Sequence, residues 1–324
     1  CGGGGLSLGV HNALRLFGQT PALALAADLD SDALKVMASN LKPILVRNKS
    51  VQDLVEYRVD LSGHHSDFIE GPFLQDKQLE QFVGKIDLLV GGPPCQGHST
   101  LNNRTRGYDP RNLLYFIMPA VAIALSIPRI IIENVTSIKQ ASENVVGLTR
   151  RILETHGYDV QECILDTADY GVAQHRRRHF LVANALSKVS LSSALDAFKT
   201  GPISFGEACV HLDPLSYEGE TLEARGELSD TNYKRIDYLF KNGLYELPNE
   251  ERPDCHKEAH TYPSVYGRIN PDAPMNTVTT GFSSPGRGRF IHPYERGVIN
   301  IREAGRAQGF PDWYWKTAEE EKLL

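Results

Sequence analysis

Cys95 closes the stretch Ile86-Asp-Leu-Leu-Val-Gly-Gly-Pro-Pro-Cys95, and Gln96, His98 and Ser99 follow it. Ile86 to Val90 has the length and apolarity of a buried strand, while Gly91, Gly92, Pro93 and Pro94 forbid its continuation as strand or helix. A lone cysteine is by default a packing thiol. This one lies just past the carboxyl end of a strand, where open α/β sheets place their ligands, on a stiff turn with polar neighbours. That setting suits a nucleophile. Three carboxylates also fall at strand ends: Asp28 after residues 22–27, Asp60 within the short strand Tyr57 to Leu61, and Glu133 after Arg129 to Ile132. Asp28 lies 23 residues beyond Gly5, close to the spacing at which doubly wound folds set an acid against ribose hydroxyls. Asp60 by itself reads as a cap or turn residue and Glu133 as a cap. The run Gln174-His175-Arg176-Arg177-Arg178 by itself reads as a solvated basic face.

The elements that must position these groups alternate. Glycines 2–5 lead into a helical pattern that reaches Phe17 and closes at Gly18; such a loop lets backbone approach a ligand, and the helix start behind it favours negative charge. A loop of this kind normally follows a strand, and none precedes Cys1, so the first strand is expected to be missing. A helix is predicted from Asp30 to Leu41, a polar loop after Leu61, and a helical stretch near Leu74 to Val83. Residues 111–126 are helical in pattern, a further helix runs from Glu143 to His156 and stops at Gly157, and strands follow at 158–165 and 179–183. Strands alternating with helices over residues 1–184 predict a doubly wound, mostly parallel α/β sheet flanked by helices. Composition changes near 185. Residues 186–262 show short mixed segments and read as a separate small domain or a large insertion; Tyr266 to Phe310 is glycine-rich and ends in a helix from Ile301.

The 324 residues carry a formal net charge of −6, with 41% hydrophobic and 23% charged residues, an ordinary soluble balance. An acidic chain argues against a nucleic-acid partner, yet the arginines cluster: Arg104, Arg106 and Arg111 after the Cys95 turn, the 176–178 run, and Arg287 and Arg289 in a glycine-rich loop. Five scattered cysteines, at 1, 95, 163, 209 and 255, fit a reducing compartment, and the lack of a CxxC pair speaks against a structural zinc site; no metal is expected. No apolar stretch reaches transmembrane length.

Gly-Pro-Pro-Cys-Gln (92–96), Glu-Asn-Val (133–135), Gln174-x-Arg176-x-Arg178 and Arg-Glu-Ala-Gly-Arg-Ala-Gln-Gly-Phe-Pro-Asp (302–312), in that order, resemble the motif series of the DNA (cytosine-5)-methyltransferases. The ordered set spans most of the chain. The resemblance implies a Rossmann-like methyltransferase sheet, S-adenosyl-L-methionine as cofactor, and duplex DNA with a specific cytosine target as partner. C5 of cytosine is a poor nucleophile until a thiolate adds at C6, which gives Cys95 its implied role; Glu133 would face N3 with a proton. Arg178 would contact the cytosine O2 and support Glu133, Arg176 would lie nearer the backbone phosphate, and the base must be flipped out of the duplex. Gln96, Ser99, Arg104, Arg106, Arg111, Gln174, Arg287 and Arg289 are implied DNA contacts. Gly2, Gly4 and Gly5 fall to the methionine part of the cofactor, Asp28 to the ribose hydroxyls and Asp60 to the adenine amino group, with Leu6, Leu29 and Leu61 also implied as cofactor-binding. Gly92, Pro94 and Leu114 would line the same pocket.

The expected division is a catalytic and cofactor domain at 1–185, a target-recognition domain at 186–265 and a return segment at 266–324. The family's first aromatic position and last Asn-containing motif have no counterpart here, and Asn300 and Ala307 depart mildly from its pattern. The chain is therefore expected to bind the cofactor poorly and methylate weakly. A monomer without membrane association is expected, cytoplasmic and, in a prokaryote, nucleoid-associated. One branch of the family methylates tRNA and carries a Cys-Phe-Thr segment that is absent here; a catalytically silent regulatory relative is the other alternative, against which stand Cys95, Glu133 and Arg178.

Overall fold

The computed structural model describes residues 2–62, 64–94, 114–140, 144–188, 190–209, 220–257 and 264–315. They fall into two compact units, Cys1–Leu165 with Arg177–Asp196, and Asp166–Arg176 with Ala197–Leu324. The compositional boundary near 185 thus falls inside the first unit.

The first unit contains α1 (Gly5–Leu16), β1 (Leu25–Asp28), α2 (Ser31–Leu41), β2 (Leu45–Asn48), β3 (Val55–Val59), β4 (Phe68–Leu74), β5 (Leu89–Gly91), α3 (Ile117–Ala124), β6 (Arg129–Val135), α4 (Val145–Thr155), β7 (Asp159–Asp166), β8 (Arg177–Asn184) and most of α5 (Leu191–Ala197). α2 starts where the Asp30 side chain accepts from the amides of Asp32 and Ala33, and it buries Leu34, Met37 and Leu41 on one stripe. α3 is apolar on all sides and correspondingly buried from Ile117 to Ala122. It packs against β3, β4, β5 and β6, and with Leu79, Ile130, Ile132, Leu153 and Leu181 forms the core of this unit.

The α/β class expected from the sequence is present, with mixed rather than mostly parallel pairing. β1 and β2 run parallel, β3 and β4 antiparallel, and a four-stranded sheet has the order β5-β6-β8-β7. Within it β5 is parallel to β6, and β8 is antiparallel to β6. The physical reason is the connection from β7 to β8. A parallel return needs a crossover, usually helical, and residues 167–176 hold only the short 3-10 turn Thr167–Asp169. Two further expectations change. The loop after Leu61 contains β4, which the Gly71-Pro72 pair inside it disguises as a turn, and the helix near 74–83 is a 3-10 helix, Lys77–Phe82, started by the Asp76 side chain.

The second unit holds α6 (Phe205–Cys209), α7 (Asp230–Lys241) and α8 (Ile301–Ala307). One apolar cluster joins Phe205, Ile269, Met275, Phe290, Ile299 and Ala304; another joins Ile236, Leu239, Val265 and Ile291. α8 opens with a capping box in which Asn300 and Glu303 exchange hydrogen bonds. Buried Glu303 also takes both ends of the Arg225 guanidinium, and buried Arg302 joins Asp312 (2.9 Å) and Glu223 (3.0 Å). The 302–312 motif is thus the polar frame of this unit.

Candidate active site

β5 ends at Gly91, level with Ile132 on β6, so the turn Gly92-Pro93-Pro94 emerges beside Glu133. The close approach needs glycine. A Cβ on Gly92 would sit 3.0 Å from Glu133 Oε2, and one on Gly91 would sit 2.7 Å from the Met118 sulfur. Successive residues of β6 alternate between the two faces of the sheet. Glu133 is half-buried, and Arg178 Nε reaches its Oε1 at 3.0 Å from β8. The antiparallel register, Val135 opposite Arg178 and Glu133 opposite Phe180, makes that diagonal contact possible.

Asn134 points to the other face and is 3% exposed. Its Nδ2 donates to the Pro93 carbonyl at 3.0 Å, while its Oδ1 accepts from the Val135 amide at 2.8 Å. One buried side chain therefore ties the turn to the strand that carries Glu133. Asn134 stands in the Glu-Asn-Val motif, yet sequence reasoning gave it no role. Cys95, Gln96, Ser99, Arg104, Arg106 and Arg111 lie outside the described residues.

Two further sets of expected residues lie at the carboxyl ends of β1 and of β3. Gly2 and Gly4 have left-handed backbones (φ 53° and 85°), and Gly4 precedes α1, whose first turn has neither an acidic residue nor a side-chain cap. Gly4 is buried, Gly5 exposed and Leu6 half-buried. The Gly2 amide donates to Asp28 Oδ2 at 2.7 Å, and the Asp30 amide to Oδ1 at 3.0 Å. Asn48 Nδ2 donates to the Asp28 and Leu29 carbonyls (3.1 and 3.0 Å), fixing the chain just after the acid; no sequence signal marked Asn48. Asp60 folds onto its own turn. Its carboxylate accepts from the Ser62 amide and hydroxyl (2.9 and 2.5 Å) and from the amides of His64 and His65 (3.1 and 3.2 Å). The Ser62 hydroxyl is the main reason that its carboxyl is held down at about 2. Leu29 and Leu61, apolar and next to the two acids, are 72% and 47% exposed. Leu114 is half-buried at the entry to the α3 segment, and Gly92 and Pro94 are exposed beside buried Pro93.

In the second unit the arginine-run segment turns out mixed. Gln174 is 1% exposed and its Oε1 accepts from the Val278 amide at 2.7 Å, so it ties two backbones and presents nothing to a partner. The Arg176 amide donates to Asp166 Oδ1 at 3.0 Å, and His175 Nδ1 meets Oδ2 at 3.1 Å. Arg289 is likewise used internally, donating to the Tyr245 and Arg268 carbonyls and to Glu246. Arg287 is exposed, with its stem against Gly281. Gln174 and Arg289 therefore drop out as surface contacts for a physical reason: Gln174 is buried, and the Arg289 guanidinium is spent on internal acceptors.

A strand-end glycine–proline turn beside a carboxylate–guanidinium pair, with glycines and acids at other strand ends, now has a match in kind. The model of C-5 cytosine-specific DNA methylases matches residues 1–323. The chain belongs to this family. It is 38% identical over 318 residues to Type II methyltransferase M1.BsuMI of Bacillus subtilis, covering 97% of this chain and 71% of that protein. It is 29% identical over 234 residues to Type II methylase M.HgiDII of Herpetosiphon aurantiacus, covering 70% and 66%. A solved DNA modification methyltransferase encoded within an E. coli prophage has the same fold (TM-score 0.60, 22% identity, 97% of this chain and 87% of that chain). So does the S. pombe Dnmt2 methyltransferase (0.54, 17%, 97% and 86%).

As a member of this family the chain is a DNA (cytosine-5)-methyltransferase, its cofactor is S-adenosyl-L-methionine and its substrate is DNA. The strand-end residues fit that cofactor: open amides at the start of α1 suit its carboxylate, and two acids flanked by exposed leucines suit an adenosine. Among the described residues no helix is long and apolar enough to cross a membrane, and no cluster of His, Cys, Asp or Glu could hold a metal ion.

Proposed function

We propose that this methyltransferase works on a cytosine flipped out of duplex DNA, through a covalent bond between Cys95 and C6. The observation that supports this most is the Glu133–Arg178 pair beside the Asn134-pinned turn, two residues before Cys95. The Cys95 thiolate attacks C6, and the displaced ring electrons are neutralised by a proton that Glu133 delivers to N3. Arg178 orients the Glu133 carboxyl through Oε1 and faces the base O2. The cofactor supplies one thing, an electrophilic methyl group for C5. Once C5 is methylated, water takes the C5 proton, the freed electron pair re-forms the C5–C6 double bond and expels the Cys95 thiolate, and N3 returns its proton to Glu133.

Gly2, Gly4, Gly5 and Leu6 hold the methionine end of the cofactor, Asp28 with Leu29 the ribose, and Asp60 with Leu61 the adenine side; Gly92, Pro94 and Leu114 line its path to the base. Arg176 and Arg287 grip phosphates, joined by Gln96, Ser99, Arg104, Arg106 and Arg111. Residues 186–265 read the target sequence and 266–324 complete that region. The likeness to two Type II enzymes supports a restriction-modification role, carried out in the cytoplasm by a monomer.

Duplex DNA carrying 5-fluorocytosine at the target tests the reaction. With the cofactor present, fluorine at C5 blocks the final elimination, so a covalent complex accumulates that survives denaturing gels. Cys95→Ser should abolish it, and structured RNA should not form it. Equal trapping by Cys95→Ser removes Cys95 as the nucleophile.

A further inference from the structure

On the face of the sheet opposite Glu133, polar side chains form a row across β6, β8 and β7, and the β6 member reaches the backbone just past β5. Asn134 on β6 reaches the Pro93 carbonyl just after β5. His179 on β8 stands directly opposite Asn134 in the ladder, and its Nε2 meets Glu162 Oε2 on β7 at 2.9 Å. Both His179 (1% exposed) and Asn134 lie at the end of the apolar face made by Ile130, Ile132, Leu181 and Ala183. Beyond them this face is uniformly hydrophobic. Packing therefore does not explain an imidazole here.

Glu162 is itself held in place by cationic side chains. Arg150 donates to its Oε1 through Nε and Nη2 (3.2 and 2.6 Å), and Lys139 lies 3.1 Å from Oε2. Burial would raise the Glu162 carboxyl, but the bonds from Arg150, His179 and Lys139 outweigh it and hold it at about 2. The Glu162 carboxylate engages Nε2, and Nδ1 is buried with no hydrogen-bond partner among the described residues. A buried unsatisfied ring nitrogen is costly and is kept where geometry is worth more than the bond. Lys139 and Arg150 come from the segments that follow β6 and form α4, so the anchor also grips the chain leaving Glu133.

We propose that His179, held by Glu162, is a positioning residue for methyl transfer: through Glu162 it ties β8 to β7 and, by way of Lys139, to the segment leaving β6, so that Arg178 meets Glu133 on one face and Asn134 meets Pro93 on the other. It touches neither base nor cofactor. The inference rests on the covalent reaction proposed above, and its test separates the two. His179→Phe keeps the volume and removes the bond to Glu162; His179→Gln keeps a donor toward Glu162. The full-length protein is compared for melting temperature, cofactor Kd, DNA Kd and single-turnover rate on unmodified duplex, with 5-fluorocytosine trapping alongside.

The expected result for His179→Phe is a single-turnover rate lower by about tenfold or more, with both Kd values within about twofold at a temperature where the variant is folded. His179→Gln should recover most of that rate, and Glu162→Gln should reproduce the loss without adding to it in the double variant. A His179→Phe enzyme that turns over at the wild-type rate overturns the proposal, and so does a loss confined to melting temperature. If His179→Phe does not fold, the Glu162→Gln rate decides alone. Wild-type protein that methylates without trapping fluorocytosine refutes the covalent reading and leaves the positioning test intact, since that test reads the rate on unmodified DNA.

Discussion

Replacing Gly92 by alanine puts a methyl group 3.0 Å from Glu133 Oε2 and 3.7 Å from the Glu133 carbonyl oxygen. The second contact is ordinary; the first is not. To reach a relaxed 3.4 Å the carboxylate must yield by about 0.4 Å, and its other oxygen is held by Arg178 at 3.0 Å, so the group can only pivot against that bond. A displacement of 1 Å at reacting groups costs about 100-fold. Scaled to about 0.4 Å, the loss is about sixfold, or about 1 kcal/mol in the barrier. The measurement is the single-turnover rate of covalent trapping on 5-fluorocytosine duplex at saturating cofactor, with the cofactor Kd determined separately because Gly92 is also placed beside the methyl donor. Gly91→Ala is the control. Its methyl meets only the end of the Met118 side chain, 2.7 Å from sulfur, so it should lower stability by about 1–3 kcal/mol and recover when Met118 is shortened to alanine. Trapping by Gly92→Ala at the wild-type rate, or a defect confined to cofactor affinity, would refute the argument that this glycine exists to make room for Glu133.

Three other outcomes follow from the same geometry. Glu162 is depressed to about 2 in the folded protein, below the ordinary carboxylate value, so its bonds stabilise the fold above that ordinary value and are lost as pH falls toward 2; urea unfolding from pH 6 to pH 2.5 should show a shallower decline for Glu162→Gln than for wild type. Arg302→Ala strands Asp312 and Glu223 from a buried guanidinium and should cost about 3–5 kcal/mol in chemical unfolding, whereas Arg306→Ala, on a half-exposed side chain, should cost about 1 kcal/mol or less. Arg287→Gln should weaken DNA binding across sequences and reduce the slope of log Kd against log salt by about one, while Arg289→Gln should lower the melting temperature because it removes the bonds to Tyr245 and Arg268.

Much of the reactive inventory was legible in the sequence because strand ends announce themselves. An apolar run stopped by Gly-Gly-Pro-Pro, or by an acid, shows where a strand finishes whatever it pairs with, and Asp28, the Cys95 turn and Glu133 were all found that way. The helices α2, α4 and α8 were legible as well, α4 with the Gly157 that stops it. β4 was not, since Gly71-Pro72 breaks the alternation on which strand reading depends, and neither was the direction of β8, which is set by a connection too short for a crossover.

Sequence by itself determined which residue types stand at the ends of which strands, because that depends on local period and on the turn chemistry of a few adjacent residues. Tertiary structure alone decided which of them act together. Glu133 and Asn134 are neighbours in the chain and serve opposite faces of a sheet; Arg178 and His179 do the same one strand away. Arg287 and Arg289 are two residues apart, and one is exposed while the other is spent on carbonyls. Those outcomes depend on pairing between segments more than 40 residues apart, as from Pro93 to Asn134 and from Glu133 to Arg178. A local pattern holds no information about a partner that far along the chain.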